Sequence, residues 1–148
     1  MIVYRIVVHE FAGSLKASGR PARWNSAGHN MIYSAGSVSL ACLENVVHRS
    51  GEGLAGLFKI LVIEIPDDLT GQEIRLSDLP ENWADFTSAH ITRLIGDNWL
   101  KGMTTAVMRV PSVIIPQESN FLINPAHHDF SKIHIVEAQD FNFDKRIL

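Results

Sequence analysis

The stretch GRPARWNSAGHNMIYSAGSVSLACLE, Gly19–Glu44, decides the fold because it predicts a loop, a strand and a helix in immediate succession. The loop begins at Ala12 and is rich in Gly, Ser, Ala and Arg. A loop of this length in a compact domain is usually functional or disordered. Met31–Ala35 predicts a short strand, and Ser37 is a suitable N-cap for a helix over Val38–His48.

Outside this stretch the sequence shows mainly strand patterns and one more helix. A turn is predicted at Gly51–Gly56, a loop at Leu76–Phe86 and a helix at Ala89–Leu100, where apolar residues recur at helical spacing. The apolar and β-branched runs predict strands at Ile2–Val8, Phe58–Ile65, Thr105–Val110 continuing through Val113–Ile115, Phe121–Ile123 and Lys132–Ala138. Several strands with two helices indicate an α+β domain.

The composition is that of an ordinary globular protein. The chain has 148 residues, which fits one domain, with 46% hydrophobic and 20% charged residues. Its net charge of -3 lacks the basic footprint of a nucleic-acid binder. The single cysteine, Cys42, excludes an internal disulfide framework and suits a reducing cytosol. No apolar run approaches the roughly 18 residues of a membrane span, so we expect a cytoplasmic protein.

Glu44 is the first candidate for chemistry. The densest apolar side of its helix runs through Leu40, Cys42, Leu43, Val46 and Val47, which predicts Glu44 at the border of the buried stripe. A carboxylate there needs a partner or a functional reason. The alternative is a helix-edge glutamate that reaches solvent and pairs with His48.

The arginines are candidates for anion binding. Arg20 and Arg23 lie in the Gly-rich loop, and a planar guanidinium donates two hydrogen bonds to a phosphate at once. Arg5 shares a strand face with Val3 and Val7, where it requires an anion or reaches water from an edge strand. A solvated loop is the alternative for the other two.

The remaining candidates each have a structural alternative. Tyr33 either covers a planar ligand or fills the core with its hydroxyl satisfied. Ser112 follows Pro111 at a strand break, which either aims it into a site or marks an edge irregularity. Cys42 is expected in the core. No metal site is expected, because the spacing of His127, His128 and His134 matches no common ligand signature.

Five motifs together resemble one family. They are YRIVV, the opening stretch itself, GDNWL, RVPSVIIPQESNFLINPAHHDF and the tail FNFDKRIL, in family order over nearly the whole chain. The sequence is identified by them as similar to the RES domain, the toxin half of RES–Xre toxin–antitoxin pairs of bacteria, here spanning residues 1–148. The family is named for an Arg, a Glu and a Ser, and Arg23, Glu44 and Ser112 stand at those positions. The usual Gly-Gly before Arg-Trp-Asn is Pro21-Ala22 here.

The resemblance implies a compact single α+β domain, with small mixed or antiparallel sheets and a few helices, related to ADP-ribosyltransferases. It implies a type II toxin that depletes NAD+ by cleaving the nicotinamide–ribose bond with water or phosphate. It also implies an Xre-type helix-turn-helix antitoxin that inhibits this chain and alone contacts DNA. ADP-ribose transfer to a protein and an inactive antitoxin-binding module are the alternatives.

The same resemblance implies the site. Its catalytic residues would be Glu44, Arg23 and Ser112. NAD+ would be held as substrate, with no separate cofactor and no metal, by Arg5, Arg23, Tyr33, Ser112 and Asn124.

Overall fold

Seven strands form one mixed sheet, and two α-helices pack on the same face of it. The computed structural model describes residues 1–49, 53–69 and 71–147. The strands are β1 Ile2–Val8, β2 Ile32–Ala35, β3 Phe58–Glu64, β4 Gln72–Glu73, β5 Val107–Pro111, β6 Ser119–Ile123 and β7 His134–Phe141, and the helices are α1 Val38–Arg49 and α2 Ala89–Gly102. The strand order is β4-β5-β6-β2-β1-β3-β7. Among the described residues, the β4–β5 pair is parallel and the other strand pairs are antiparallel. The predicted α+β class is confirmed.

Most predicted elements are present, and one is wrong. Val113–Ile115 forms no strand, because β5 ends at Pro111 and the chain then turns. Proline has no N–H to continue a ladder, and the Ser112 hydroxyl accepts the backbone N–H groups of Ile114 and Ile115 instead. The two-residue β4 was not predicted. Residues 51 and 52 of the predicted Gly51–Gly56 turn lie outside the described residues.

The two faces of the sheet bury different partners. On one face, which we name the loop face, side chains such as Val3, Leu61 and Ile123 pack against residues of the Ala12–Ala17 segment and Phe130. The opposite face, the helix face, carries both helices. There α1 packs on Ile6, Ala35, Phe58 and Ile60, and α2 packs with Trp24 and Trp83 on Met108, Val110 and Leu122.

Strands β1 and β2 share the fewest paired residues of any neighbouring strands described in the sheet. These strands share one residue pair, Tyr4 with Ala35, whereas β1 and β3 are paired along their whole length. The cluster beneath α1 contains side chains of β1, β2 and β3. The helix therefore spans this junction.

The Arg-Trp-Asn loop lies directly on α2. The Thr92 hydroxyl donates to the Arg23 carbonyl at 2.6 Å, and Arg93 Nε donates to the Ala22 carbonyl at 2.9 Å. One turn further, Asp97 Oδ1 accepts the Ser26 N–H at 3.0 Å. These three groups line one face of α2 and fix the loop from residue 22 to 26.

Gly96 makes this close contact possible. A Cβ built on it would lie 1.7 Å from the Trp24 carbonyl oxygen. Backbone cannot move away from such a clash as a flexible side chain can. The glycine in the GDNWL motif therefore serves helix–loop packing.

We predict that Gly96→Ala destabilises the fold by about 1–3 kcal/mol or more, although alanine is the better helix former. Urea unfolding measures the change. Gly102→Ala in the same helix is the matched control, because a Cβ there meets no atom within 4 Å. The control should be neutral or stabilising by up to about 1 kcal/mol. Equal stability of the two variants would contradict the packing explanation.

Candidate active site

Asn25 organises the loop that carries the candidate arginine. It is 1% exposed, and its amide donates to the carbonyls of Arg20 and His29 at 2.9 Å each. Its Oδ1 accepts the Tyr33 hydroxyl at 2.7 Å, and that hydroxyl accepts the Trp24 N–H at 3.1 Å. Burial raises the pKa of Tyr33, which keeps the phenol protonated as this donor. The hydroxyl is thus committed to shaping the loop.

Arg23 is held by the turn that precedes α2. Its Nη1 donates to the carbonyls of Trp83 and Asp85 at 3.3 and 3.1 Å, and its Nη2 donates to the Ala84 carbonyl at 3.1 Å. The neighbouring Trp24 ring packs 6.4 Å from the Trp83 ring, centroid to centroid. Arg-Trp-Asn is therefore a structural unit in which each of the three residues fixes a different part of the loop.

Glu44 joins three elements of the fold. The Ser112 hydroxyl and the Asn120 amide donate to its Oε1 at 3.0 and 2.6 Å. On the other oxygen, Oε2 lies 3.3 Å from His48 Nε2, one helical turn away. The carboxylate of α1 is thereby fixed against the end of β5 and the start of β6.

The hydrogen bonds determine the charge of Glu44. Burial alone would raise the pKa of this carboxyl, but donation from His48, Asn120 and Ser112 outweighs it, so the pKa lies below its ordinary value. The hydrogen bond to Glu44 raises the pKa of His48, against smaller opposing effects of burial and of the Arg23 charge. The site presents an ionised, immobilised carboxylate.

The prediction for the buried side of α1 is partly wrong. Leu43 and Val47 are 40% and 54% exposed, whereas Leu40 is fully buried. The Glu44 side chain retains only 20% exposure. Counting apolar residues predicted the wrong buried side of α1, because the side that faces the sheet includes Glu44. This carboxylate can be buried there because it accepts hydrogen bonds from Asn120 on β6 and Ser112 after β5.

The structure brings together some of the predicted site residues and not others. Glu44 and Ser112 touch, and the Arg23 charge is close enough to affect His48. Arg5 lies instead on the loop face between Val3 and Val7 and donates to the Lys16 carbonyl at 3.0 Å. Its part in NAD+ binding stays a prediction.

Asn124 is separated from Glu44 by the length of β6. It follows the end of the strand opposite to Asn120, is 1% exposed, and donates to the Leu100 carbonyl at 3.1 Å. Its Oδ1 accepts the Ala126 N–H at 3.0 Å. Both ends of its side chain are therefore used within the fold, and its predicted role in binding NAD+ stays a prediction.

The sequence patterns do not indicate two residues that the structure brings forward: Asn120, which binds Glu44, and Arg93, which holds the loop. Asn120 is hard to single out because it adjoins the apolar run Phe121–Ile123, although a polar side chain inside a strand is itself a signal. Arg93 gives no such signal. It lies in the predicted second helix, where a charged residue normally indicates a solvent-facing side.

A surface cavity and a histidine–aspartate cluster are two other candidate sites, but their charged groups already have partners within the protein. An open cavity of about 360 Å³ lies beside Arg109, Glu118 and Ser119, but Arg109 already pairs with Glu73 at 3.3 Å and with Ser119 at 2.9 Å. Elsewhere, His127, His128 and Asp129 have possible ligand atoms within 4.8 Å of one another. There the Asp129 N–H donates to His127 Nδ1, and Lys132 binds the Asp129 carboxylate at 2.7 Å. Glu44 remains the better-founded centre.

Comparison with known proteins identifies relatives along the whole chain. A family model described as "RES domain" matches residues 2–144. A Sphingobium protein named "Prs ADP-ribosylating toxin" is 38% identical over 85% of this chain and 80% of its own length. A Yersinia enterocolitica protein named "Toxin Res" is 36% identical over 99% of both chains.

A solved structure shares the fold. A chain of the "M.tuberculosis MbcT-MbcA toxin-antitoxin complex" superposes with a TM-score of 0.76, covering 95% of this chain and 84% of that one at 13% identity. None of the helices formed by the described residues has the length and apolar character of a membrane span.

We predict that Glu44→Gln lowers the pKa of His48, which NMR titration of the imidazole measures. The charged pair contributes stability below the unfolded histidine pKa of about 6.5, and this contribution is lost as pH rises through the raised folded pKa. On the acid side it is lost as pH falls through the lowered pKa of Glu44. The control is Glu64→Gln, because Glu64 is an exposed glutamate at the end of β3. An unchanged His48 midpoint in Glu44→Gln would show that the contact does not exist in solution.

Proposed function

This chain belongs to the RES domain family, and from that membership we propose that it is the toxin of a bacterial toxin–antitoxin pair that depletes NAD+. The proposed reaction cleaves the nicotinamide–ribose bond. The observation that carries the proposal is the Glu44 carboxylate, kept ionised by Ser112, Asn120 and His48 on the helix face. The name of one relative, "Prs ADP-ribosylating toxin", supports this class of chemistry, and the name "Toxin Res" of another supports the toxin assignment.

The carboxylate suits the charge that the reaction develops. As the bond from ribose C1′ to the pyridinium nitrogen breaks, its electron pair moves onto nitrogen and neutral nicotinamide leaves. Positive charge then accumulates on C1′ and its ring oxygen, as in glycoside cleavage. An ionised group already fixed in place stabilises that charge without reorganising during the reaction. Water or phosphate forms the new bond to C1′, and water loses a proton in doing so.

The other predicted residues receive roles that fit their contacts. Ser112 gives its only hydroxyl proton to Glu44 in this structure, which supports a positioning role. Arg23, bound to the carbonyls of residues 83–85, fixes the loop beside the site. The hydroxyl of Tyr33 is committed and its partly buried ring packs against the cluster beneath α2, so the role proposed for the ring, covering the nicotinamide, rests on the family resemblance.

Transfer of ADP-ribose to a protein is the second candidate. The Sphingobium relative is named for it. Transfer uses the same bond cleavage and differs only in the nucleophile that reaches C1′. The products of the reaction therefore separate the two candidates.

We further propose an antitoxin partner of the Xre type, which inhibits this chain and carries any DNA binding of the complex. The solved structure that shares this fold is that of a toxin–antitoxin complex. Exposed Leu43 and Val47 lie beside Glu44 on α1 and offer apolar surface next to the site. The net charge of -3 argues against direct DNA binding by this chain.

We predict that Glu44→Gln lowers kcat for NAD+ cleavage by about 10²–10³-fold and leaves KM nearly unchanged. Glutamine keeps the volume but removes the charge, and NAD+ develops positive charge at C1′ only in the transition state. Steady-state NAD+ consumption by the purified chain gives both constants. Exposed Glu137→Gln on β7 is the matched control and should behave as wild type.

Product identification completes this experiment. Nicotinamide with ADP-ribose indicates hydrolysis, nicotinamide with ADP-ribose-1″-phosphate indicates phosphorolysis, and label on a protein indicates transfer. Equal kcat values for wild type and a folded Glu44→Gln variant would contradict the proposal that the Glu44 charge stabilises the transition state. Intact NAD+ and normal growth on expression of the wild type would instead support an inactive antitoxin-binding module.

A second prediction concerns pH. Asn120→Ala removes a donor to Glu44 Oε1, so the carboxylate loses stabilisation and its pKa rises. The acid limb of the kcat/KM profile should therefore move to higher pH, because the ionised form is required. Exposed Asn98→Ala on α2 serves as the control. An acid limb at the wild-type position would show that Asn120 does not tune Glu44.

A further inference from the structure

Arg93 is a half-buried arginine that is held through its Nε atom. It lies on α2, and its Nε donates to the Ala22 carbonyl at 2.9 Å. Among the described residues, Nη1 and Nη2 have no hydrogen-bond acceptor and no carboxylate within ion-pair distance. The Nε bond holds the side chain in one orientation, so the free edge of the guanidinium is presented in a fixed direction.

The Arg93 guanidinium lies beside the part of the loop that meets Tyr33, because its Nε binds the Ala22 carbonyl and the Tyr33 hydroxyl accepts the N–H of Trp24, two residues further on. Burial has the largest effect on the pKa of Tyr33, but three charges also act on its hydroxyl: Arg93 lowers the pKa, whereas Asp97 and Glu44 raise it. The hydroxyl is therefore within electrostatic reach of all three groups: Arg93 and Asp97 on α2 and Glu44 on α1. Ala22, which holds Arg93, immediately precedes Arg23 in the loop between them.

Two of the arginines predicted to bind phosphate, Arg23 and Arg5, are less available. Arg23 already donates three hydrogen bonds to backbone carbonyls. Arg5 is on the loop face and donates to Lys16. The nearest acid along the helix, Asp97, accepts the Ser26 N–H and makes no ion pair with Arg93.

We propose that the Nη1–Nη2 edge of Arg93 binds a phosphate group in the site. This inference rests on the proposed function and names a substrate contact of the same site. A planar fork that is already oriented loses little freedom on forming a bidentate bond to phosphate oxygens. The phosphate is either the diphosphate of NAD+ or an inorganic phosphate that attacks C1′, and the experiment separates these two sources.

Three substitutions separate the hydrogen bond from Arg93 to Ala22 from the charged Nη1–Nη2 edge. Arg93→Gln places an amide nitrogen where Nε was, so the bond to Ala22 can persist while the charged fork is lost. Arg93→Lys keeps a charge without a fork. Arg93→Ala removes both. Arg75→Gln, at an exposed arginine paired with Glu73, is the control for loss of one positive charge.

The first measurement is calorimetric binding of ADP-ribose, with thermal unfolding of each variant. We expect Arg93→Gln to bind ADP-ribose about 10- to 100-fold more weakly than wild type, with an unchanged unfolding temperature. Arg93→Lys should recover only part of the loss. Arg75→Gln should bind as wild type.

The second measurement is the dependence of NAD+ consumption on inorganic phosphate. An unchanged affinity for ADP-ribose with a raised KM for phosphate in Arg93→Gln would assign the edge to the attacking phosphate. Wild-type values for both ligands would overturn the proposal. So would Arg93→Gln melting as low as Arg93→Ala, because Arg93 would then be only structural.

The wild type separates this inference from the proposed function. If it binds ADP-ribose through Arg93 but leaves NAD+ intact, the phosphate site stands and the proposed reaction fails. If it consumes NAD+ and Arg93→Gln keeps wild-type constants, the reaction stands and the phosphate site fails.

Discussion

The contact between the Trp24 carbonyl and Gly96 is the constraint on which the site depends. Backbone of the Arg-Trp-Asn loop approaches backbone of α2 so closely that no side chain fits between them. With the loop held there by Thr92, Arg93 and Asp97, Arg23 reaches the turn at residues 83–85. The loop also presents Asn25 and the Trp24 N–H to the Tyr33 hydroxyl. A long Gly-rich loop thus becomes an ordered wall of the site.

The second organising feature is a carboxylate buried by a mostly hydrophobic helix. Burial works against the charge of Glu44, and three side-chain partners more than offset it. Each partner comes from a different position in the chain: His48 on α1, Ser112 after β5 and Asn120 on β6. An arrangement this costly to assemble is typical of functional sites, where local rules of burial are broken and compensated. It is also why an α1 that looks apolar leaves Leu43 and Val47 in solvent.

Local patterns predicted the elements well, and tertiary contacts explain the failures. Apolar periodicity located α2, and β-branched runs located β1 and β3, because those signals are local. Motif resemblance paired Glu44 with Ser112 before any geometry was known. No local pattern shows which side of α1 meets the sheet, since that depends on Ser112 and Asn120, which are far away in sequence. Strand alternation put Arg5 with Val3 and Val7 correctly, but it could not show that Glu44 lies across the sheet from them.

The single Tyr4–Ala35 pair between β1 and β2 gives α1 a second task. The sheet thus consists of two half-sheets, β4-β5-β6-β2 and β1-β3-β7. Helix α1 packs across the boundary between them, against Ile6 and Ile60 in one half and Ala35 in the other. Ser112 and Asn120 belong to the half that contains β5 and β6. A shift of one half against the other would therefore act directly on the hydrogen bonds from these two residues to Glu44. The same twelve-residue helix thus joins the two half-sheets and carries the carboxylate of the proposed site, so a mutation that alters how the helix packs also alters the position of Glu44.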